Sequence, residues 1–129
     1  MNKNIMLVAA VSGFIAVALG AFGSHGLKHI APPELISIFK LAVEYQFYHT
    51  FALVALALSY AHIPSKQLIW SAYSFVLGTV LFSGSLYLYV LTGVKWVGPI
   101  TPIGGCLLLL GWGLFAFVLI SSTFKESSE

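Results

Sequence analysis

Charge is what this sequence has least of. Charged residues make up 8% of the 129 positions against 59% apolar, and aspartate and arginine do not occur at all. A soluble domain carries about a quarter of its residues as charge to keep its surface wetted, so a water-soluble fold is excluded. Without aspartate, no Ser-His-Asp triad can be assembled. The formal net charge of +2 is too small and too scattered for a nucleic-acid surface, so no nucleic-acid partner is expected. The single cysteine, Cys106, rules out an internal disulfide and reads as a small packing residue in its apolar run. There is no Cys-x-x-Cys, no His-Glu-x-x-His and no glycine-rich phosphate loop after a strand. No metal, no cofactor and no catalytic residue is therefore assigned.

What the chain does have is apolar length. A bilayer core about 30 Å thick needs about 20 apolar residues per helix, and four blocks meet or approach that. The first span is read at 5–22, behind Lys3, and is expected to stay in the mature protein as a longer run than a secretory signal core. Glycines 20, 23 and 26 are expected to loosen the helix before Lys28. Pro32-Pro33-Glu34 then opens a helix that runs without glycine or proline to Ala61. Its first turns, Glu34 to Glu44, are expected at the membrane interface, and the second span is 45–61. The third span is 68–91, with Trp70 and Tyr73 at one water boundary and Tyr87 and Tyr89 at the other. A loop over 92–99 and Thr101-Pro102 lead into the fourth, 103–124. The fold class predicted is all-α: a single-domain integral membrane four-helix bundle with an interfacial helical extension before the second span.

Apolar helices gain nothing from the hydrophobic effect when they associate in lipid, so close packing of small residues must hold them. Such residues recur at spacings of three and four: Ala9, Gly13, Ala16, Gly20 and Gly23 in the first span; Ala52, Ala55 and Ser59 in the second. The third has Ser71, Ser74, Gly78 and Ser85, and the fourth has Gly104 and Gly111, one heptad apart. These spacings keep small residues on one stripe of each helix. Gly13, Gly20, Gly78, Gly104 and Gly111 are predicted helix-packing positions; the alternative is that glycines line a pathway.

Polar groups in a membrane segment need a reason, since a charge at mid-bilayer costs about 2.5–3.5 kcal/mol on insertion scales. The candidates are Ser24, His25 and His29 after the first span, and Glu44, Gln46, Tyr48, His49 and Thr50 in the second helix. At about 100° per residue, Ser37, Lys40, Glu44 and Tyr48 share one stripe, and Tyr45 with His49 forms another. Glu44 is therefore read either as an interfacial acid paired with Lys40, or as a buried acid paired with His25 or His29. His25 reads as a loop-bracing side chain, and His49 as a candidate for a buried hydrogen-bonded network. The candidate polar cluster is Ser24, His25, His29, Glu44, Tyr48 and His49.

Three segments together are distinctive: Gly20-Ala21-Phe22-Gly23-Ser24-His25-Gly26, Tyr45-Gln46-Phe47-Tyr48-His49-Thr50, and Thr101-Pro102-Ile103-Gly104-Gly105-Cys106 running to Gly111-Trp112. In this order and spacing the chain resembles the YgdD/YwdK-type family of small four-span membrane proteins, whose function is unknown and which includes animal members. The resemblance implies a four-helix fold in a bacterial plasma membrane and no activity. It points to Ser24, His25 and His49, with a turn at Pro102 to Gly105 beside them. An even span number puts both termini on one side, read as cytoplasmic, although lysines are tied at three per side (Lys3, Lys66 and Lys125 against Lys28, Lys40 and Lys95). The function expected is a non-enzymatic bundle, in contact with the lipid bilayer, that forms a homo-oligomer or binds lipid or another membrane protein. Two alternatives remain: a small-solute or proton transporter using Glu44, His25 and His49, and a membrane-embedded enzyme or redox-cofactor binder using the same histidines.

Overall fold

The computed structural model, which describes residues 1–128, contains four long helices: α1 (Lys3–His25), α2 (Pro33–Ser59), α3 (Lys66–Thr92) and α4 (Ile100–Glu126). Short 3₁₀ turns at Leu27–His29 and Lys95–Val97 precede α2 and α4. A helix of 27 residues, the length of α2, α3 and α4, rises about 40 Å, more than the hydrocarbon core requires. All four are long and apolar enough to cross a membrane.

Local chemistry sets the ends. The Asn2 side chain accepts from the Ile5 amide at 3.1 Å, while the Asn2 amide donates to the Ala57 carbonyl at 3.0 Å. One residue thus caps α1 and ties it to the end of α2. Pro33 opens α2 at a position where its missing N–H costs nothing. Ser65 caps α3 through the Leu68 amide, and Gly93 ends it at φ 71°, a left-handed backbone that glycine adopts freely.

Three boundaries differ from the sequence expectation. α1 stays helical through Gly20 and Gly23, because both face α2 and are held by packing. α2 ends at Ser59 rather than Ala61, with a hydrogen-bonded turn following. Pro102 to Gly105 is helical rather than a turn: α4 begins at Ile100, and Pro102 falls in the first turn, where an amide would have no helical partner.

The helices pack in chain order, α1 on α2, α2 on α3 and α3 on α4. The central pair is the less apolar one, with mean hydropathy 1.3 for α2 and 1.7 for α3 against 2.5 and 2.4 for the segments containing α1 and α4. That gradient is what lipid demands, since the flanking helices expose more surface to it. Phe14, Phe51, Leu109 and Phe124 point outward accordingly.

The small-residue stripes are the contact faces. Gly13 and Gly20 meet Thr50 and Val43 of α2, and Gly23 lies against the Phe39 ring, where an added methyl would come within 2.8 Å. On α3 and α4, Gly78 receives Leu108 and Gly111 receives the Phe75 ring. Gly104 lies directly on the α3 backbone at Leu81–Phe82. Ser71, Ser74 and Ser85 are buried on the same α3 face. The first turns of α2, read as an interfacial extension, continue the same straight element. Phe39, Ala42 and Val43 there are already buried, packed between Gly23 and Gly20 on one side and α3 on the other.

Candidate functional site

Two polar arrangements occupy the interior, both centred on α2. In the first, Gln46 is 6% exposed. Its amide nitrogen donates to the Ser12 carbonyl at 3.0 Å, and its amide oxygen accepts from the Tyr87 hydroxyl at 2.7 Å. Ser12 and Thr50 share a hydroxyl bond at 2.7 Å. One glutamine therefore joins α1, α2 and α3, with both ends of its amide satisfied. Nearby, Ser83 donates to the Ala42 carbonyl at 2.7 Å, a second α2–α3 link.

The second arrangement surrounds His49, which is 4% exposed. Its Nδ1 lies 2.7 Å from the Tyr45 carbonyl and its Nε2 is 3.2 Å from the Trp112 indole N–H. A carbonyl only accepts and an indole only donates, so the bonds specify the tautomer with hydrogen on Nδ1 and the lone pair of Nε2 engaged. Tyr45, Phe75 and Trp112 close around the ring, with Phe75 and Trp112 edge to face at 5.1 Å, and Phe82 packs tilted on Tyr45 at 4.6 Å. The imidazole is a clasp between α2, α3 and α4, and a metal could reach its lone pair only by displacing Trp112. Ser71 donating to the Gly111 carbonyl at 2.7 Å, and the Ser85–Thr101 hydroxyl pair, complete the α3–α4 seam. Among the described residues, Thr79 Oγ1 is the one buried side-chain oxygen or nitrogen without a partner.

Of the six residues in the sequence-derived cluster, His49 alone is buried; Ser24, His25, His29, Glu44 and Tyr48 are exposed. Among the described residues, Glu44 forms no salt bridge with Lys40, His25 or His29. No group of three or more metal-ligating side chains is found there either. Helix geometry explains the separation. Glu44 lies on the outward side of α2, away from the face that Val43 and Phe39 turn toward α1; His25 ends α1, whose packed face is Gly20 and Gly23, and His29 ends the 3₁₀ turn that follows.

Three residues outside the sequence-derived cluster, Gln46, Tyr87 and Trp112, take part in these arrangements. Gln46 was visible as a polar group in an apolar span, but only the fold shows that Ser12 and Tyr87 meet it. Tyr87, read as an interfacial ring, turns its hydroxyl inward to Gln46. Trp112 gave no signal, because an indole donor in an apolar run looks like any lipid-facing aromatic.

Two grooves open sideways between the helices. One, about 330 Å³, lies between α1 and α3 over Gln46, Thr79 and Ser83. The other, about 640 Å³, lies between α2 and α4; Tyr45, Tyr48 and His49 of α2, Phe82 of α3, and Pro102, Gly105, Cys106 and Trp112 of α4 line it.

Residues 19–105 match the family described as Protein of unknown function (DUF423). A UPF0382 membrane protein of Haemophilus influenzae is 44% identical over 127 residues, covering 98% of both chains. The UPF0382 inner membrane protein YgdD of Escherichia coli K12 is 43% identical over 115 residues, 88% of each chain, and a UPF0382 membrane protein of Staphylococcus aureus is 38% identical over 123 residues, 95% of this chain and 97% of that one. The chain belongs to the DUF423 family. It is a membrane protein whose family carries no assigned activity. No solved structure matches it. The DUF423 match contains the Gln46–Tyr87 bond and His49 with Tyr45, Phe75 and Phe82, while Ser12, Gly111 and Trp112 lie outside it.

Proposed function

We propose that this DUF423 protein is a non-enzymatic membrane bundle that acts as a homo-oligomer, with the outward face of α2 as the self-association surface. The observation that carries the reading is Glu44: an exposed carboxylate without a salt-bridge partner among the described residues, on a helix otherwise built to cross the membrane. Its neighbours Val43 and Ala42 contact Gly20 and Ser83, so Glu44 stands within the length of the first and third spans. An acid in that position is stabilised by facing protein rather than lipid.

The occupant is a second copy because the outer row is self-complementary. Lys40, Glu44 and Tyr48 follow one another at single-turn intervals, all exposed, and Phe51 (65% exposed) extends the face. Across a two-fold axis, Glu44 of each copy reaches the Lys40 ammonium and the Tyr48 hydroxyl of the other, one turn to either side. The non-enzymatic part rests on how the interior is used. Gln46, Ser12, Thr50, Tyr87 and His49 spend their hydrogen bonds holding helices together. A transporter built on Glu44, His25 and His49 would need those groups within reach of one another, and they lie on different faces.

Cysteine cross-linking in lipid vesicles tests this. With Cys106→Ala as background, Phe51→Cys is expected to form a disulfide dimer on mild oxidation. Adding Glu44→Lys should suppress it, and adding Lys40→Glu together with Glu44→Lys should restore it. Cross-linking that ignores all three charge states rules out the α2 face as the interface.

A further inference from the structure

We propose that the groove between α2 and α4 binds one acyl chain of an anionic membrane phospholipid, with the lipid phosphate held at Lys95. This does not depend on self-association, since it concerns a cavity within one chain.

The large α2–α4 cavity does not stop at Pro102. A second cavity of about 440 Å³ begins at that same residue and continues between Ile38 and Leu41 of α2 and Leu86, Val97, Gly98 and Thr101. Tyr89 and Lys95 also line it. The two adjoin at Pro102, and together their linings make a trough from the turn before α4 down to Trp112 at mid-bundle. From Pro102 to Trp112 α4 rises about 15 Å, half of the roughly 30 Å hydrocarbon core. The part below Pro102 is therefore as long as one leaflet is deep, the path of a single acyl chain.

Its chemistry changes along that path in the order of a phospholipid. The deep part is aromatic and aliphatic, and the polar atoms of His49 and Trp112 there are already bonded to each other. Tyr48 and Tyr89 stand along the way. At the mouth is Lys95, the one charged residue lining either cavity, exposed and without a salt-bridge partner among the described residues. A lysine at the headgroup level attracts anionic lipid. The groove between α1 and α3 is a control within the same molecule: its lining holds no charged residue, so it offers an acyl chain nothing to select a headgroup with.

Gly105 shapes the trough. A Cβ built there meets nothing nearer than the Phe82 ring at 3.8 Å, ordinary contact, and the position lines the cavity, so a side chain added there takes up cavity space. Its neighbour Gly104 has no such room, because the Leu81–Phe82 backbone occupies it.

The test is native mass spectrometry of the full chain extracted gently from vesicles of equal parts phosphatidylglycerol and phosphatidylcholine. One retained phospholipid per chain is expected, with phosphatidylglycerol enriched. Lys95→Gln should keep a lipid but reduce the enrichment about fivefold, the worth of one lysine near an anionic surface. Gly105→Leu should cut retention of both lipids, with thermal unfolding confirming an intact fold; if that variant does not fold, the Lys95→Gln ratio decides alone. Absence of retained lipid, unselective retention by the natural chain, or an unchanged ratio in Lys95→Gln overturns the proposal. An inorganic phosphate adduct in place of lipid overturns it equally. Loss of the dimer with lipid still retained counts against self-association only.

Discussion

Gly104 and Gly113 sit nine residues apart on one helix and differ in a single respect: what lies beyond the missing side chain. At Gly104 a methyl group would collide with the backbone of Leu81–Phe82, whereas at Gly113 nothing stands within 4 Å. Backbone cannot rotate aside as a side chain can, so Gly104→Ala must push α4 off α3 and is expected to cost about 1–3 kcal/mol. Gly113→Ala should be neutral or slightly stabilising through helix propensity. Reversible unfolding in mixed micelles reads both, and equal effects would mean that α3 and α4 are not in the described contact. The heptad spacing of Gly104 and Gly111 made the first of these glycines legible in the sequence. Gln46 was legible only as a cost. That it would bridge Ser12 and Tyr87 depends on three helices meeting at one level, which no local pattern records. Gln46→Leu strands the Tyr87 hydroxyl and frees Ser12, with an expected loss of about 1–2 kcal/mol in the same assay. A variant as stable as the natural chain would show the network to be dispensable.

At the level of elements, the helices are positioned by stripes of small residues and secured by a few polar bonds between neighbours. The stripes were readable because period and size are both written in the sequence. Starts and stops were harder to read. Gly20 and Gly23 suggested a loosened helix, but a glycine facing a partner is held by what it contacts, and Val43 and Phe39 hold these two. The Tyr87 ring suggested a water boundary by its chemistry alone, while its hydroxyl found Gln46 inside. Between α2 and α4, which are not consecutive in the packing, His49 and Trp112 form a polar link. His49→Ala should lower stability by about 0.6–1.7 kcal/mol, the range of single polar bonds between membrane helices. Circular dichroism should show full helix content below a reduced melting point. A variant that loses its helical structure altogether would assign His49 a larger role than a clasp.

The whole molecule keeps its polar chemistry inside and presents lipid with an apolar surface broken by a few groups, of which Glu44, Lys40 and Lys95 are the informative ones. The fold class was legible because composition alone forbids water. The exposed charges were harder to read, since Lys40 and Glu44 at one-turn spacing look like a pair on one helix, whereas both face outward and form no salt bridge among the described residues. Lys95 was readable only as one cation in a loop until the trough was seen to end at it. Self-association through α2 is the claim on which the functional reading depends. The most direct test is to label single chains and count photobleaching steps in vesicles at high dilution of protein in lipid. Two steps for the natural chain, one for Glu44→Lys, and two again for Glu44→Lys with Lys40→Glu are the expected results. A single step for the natural chain, or two steps in all three, contradicts the account.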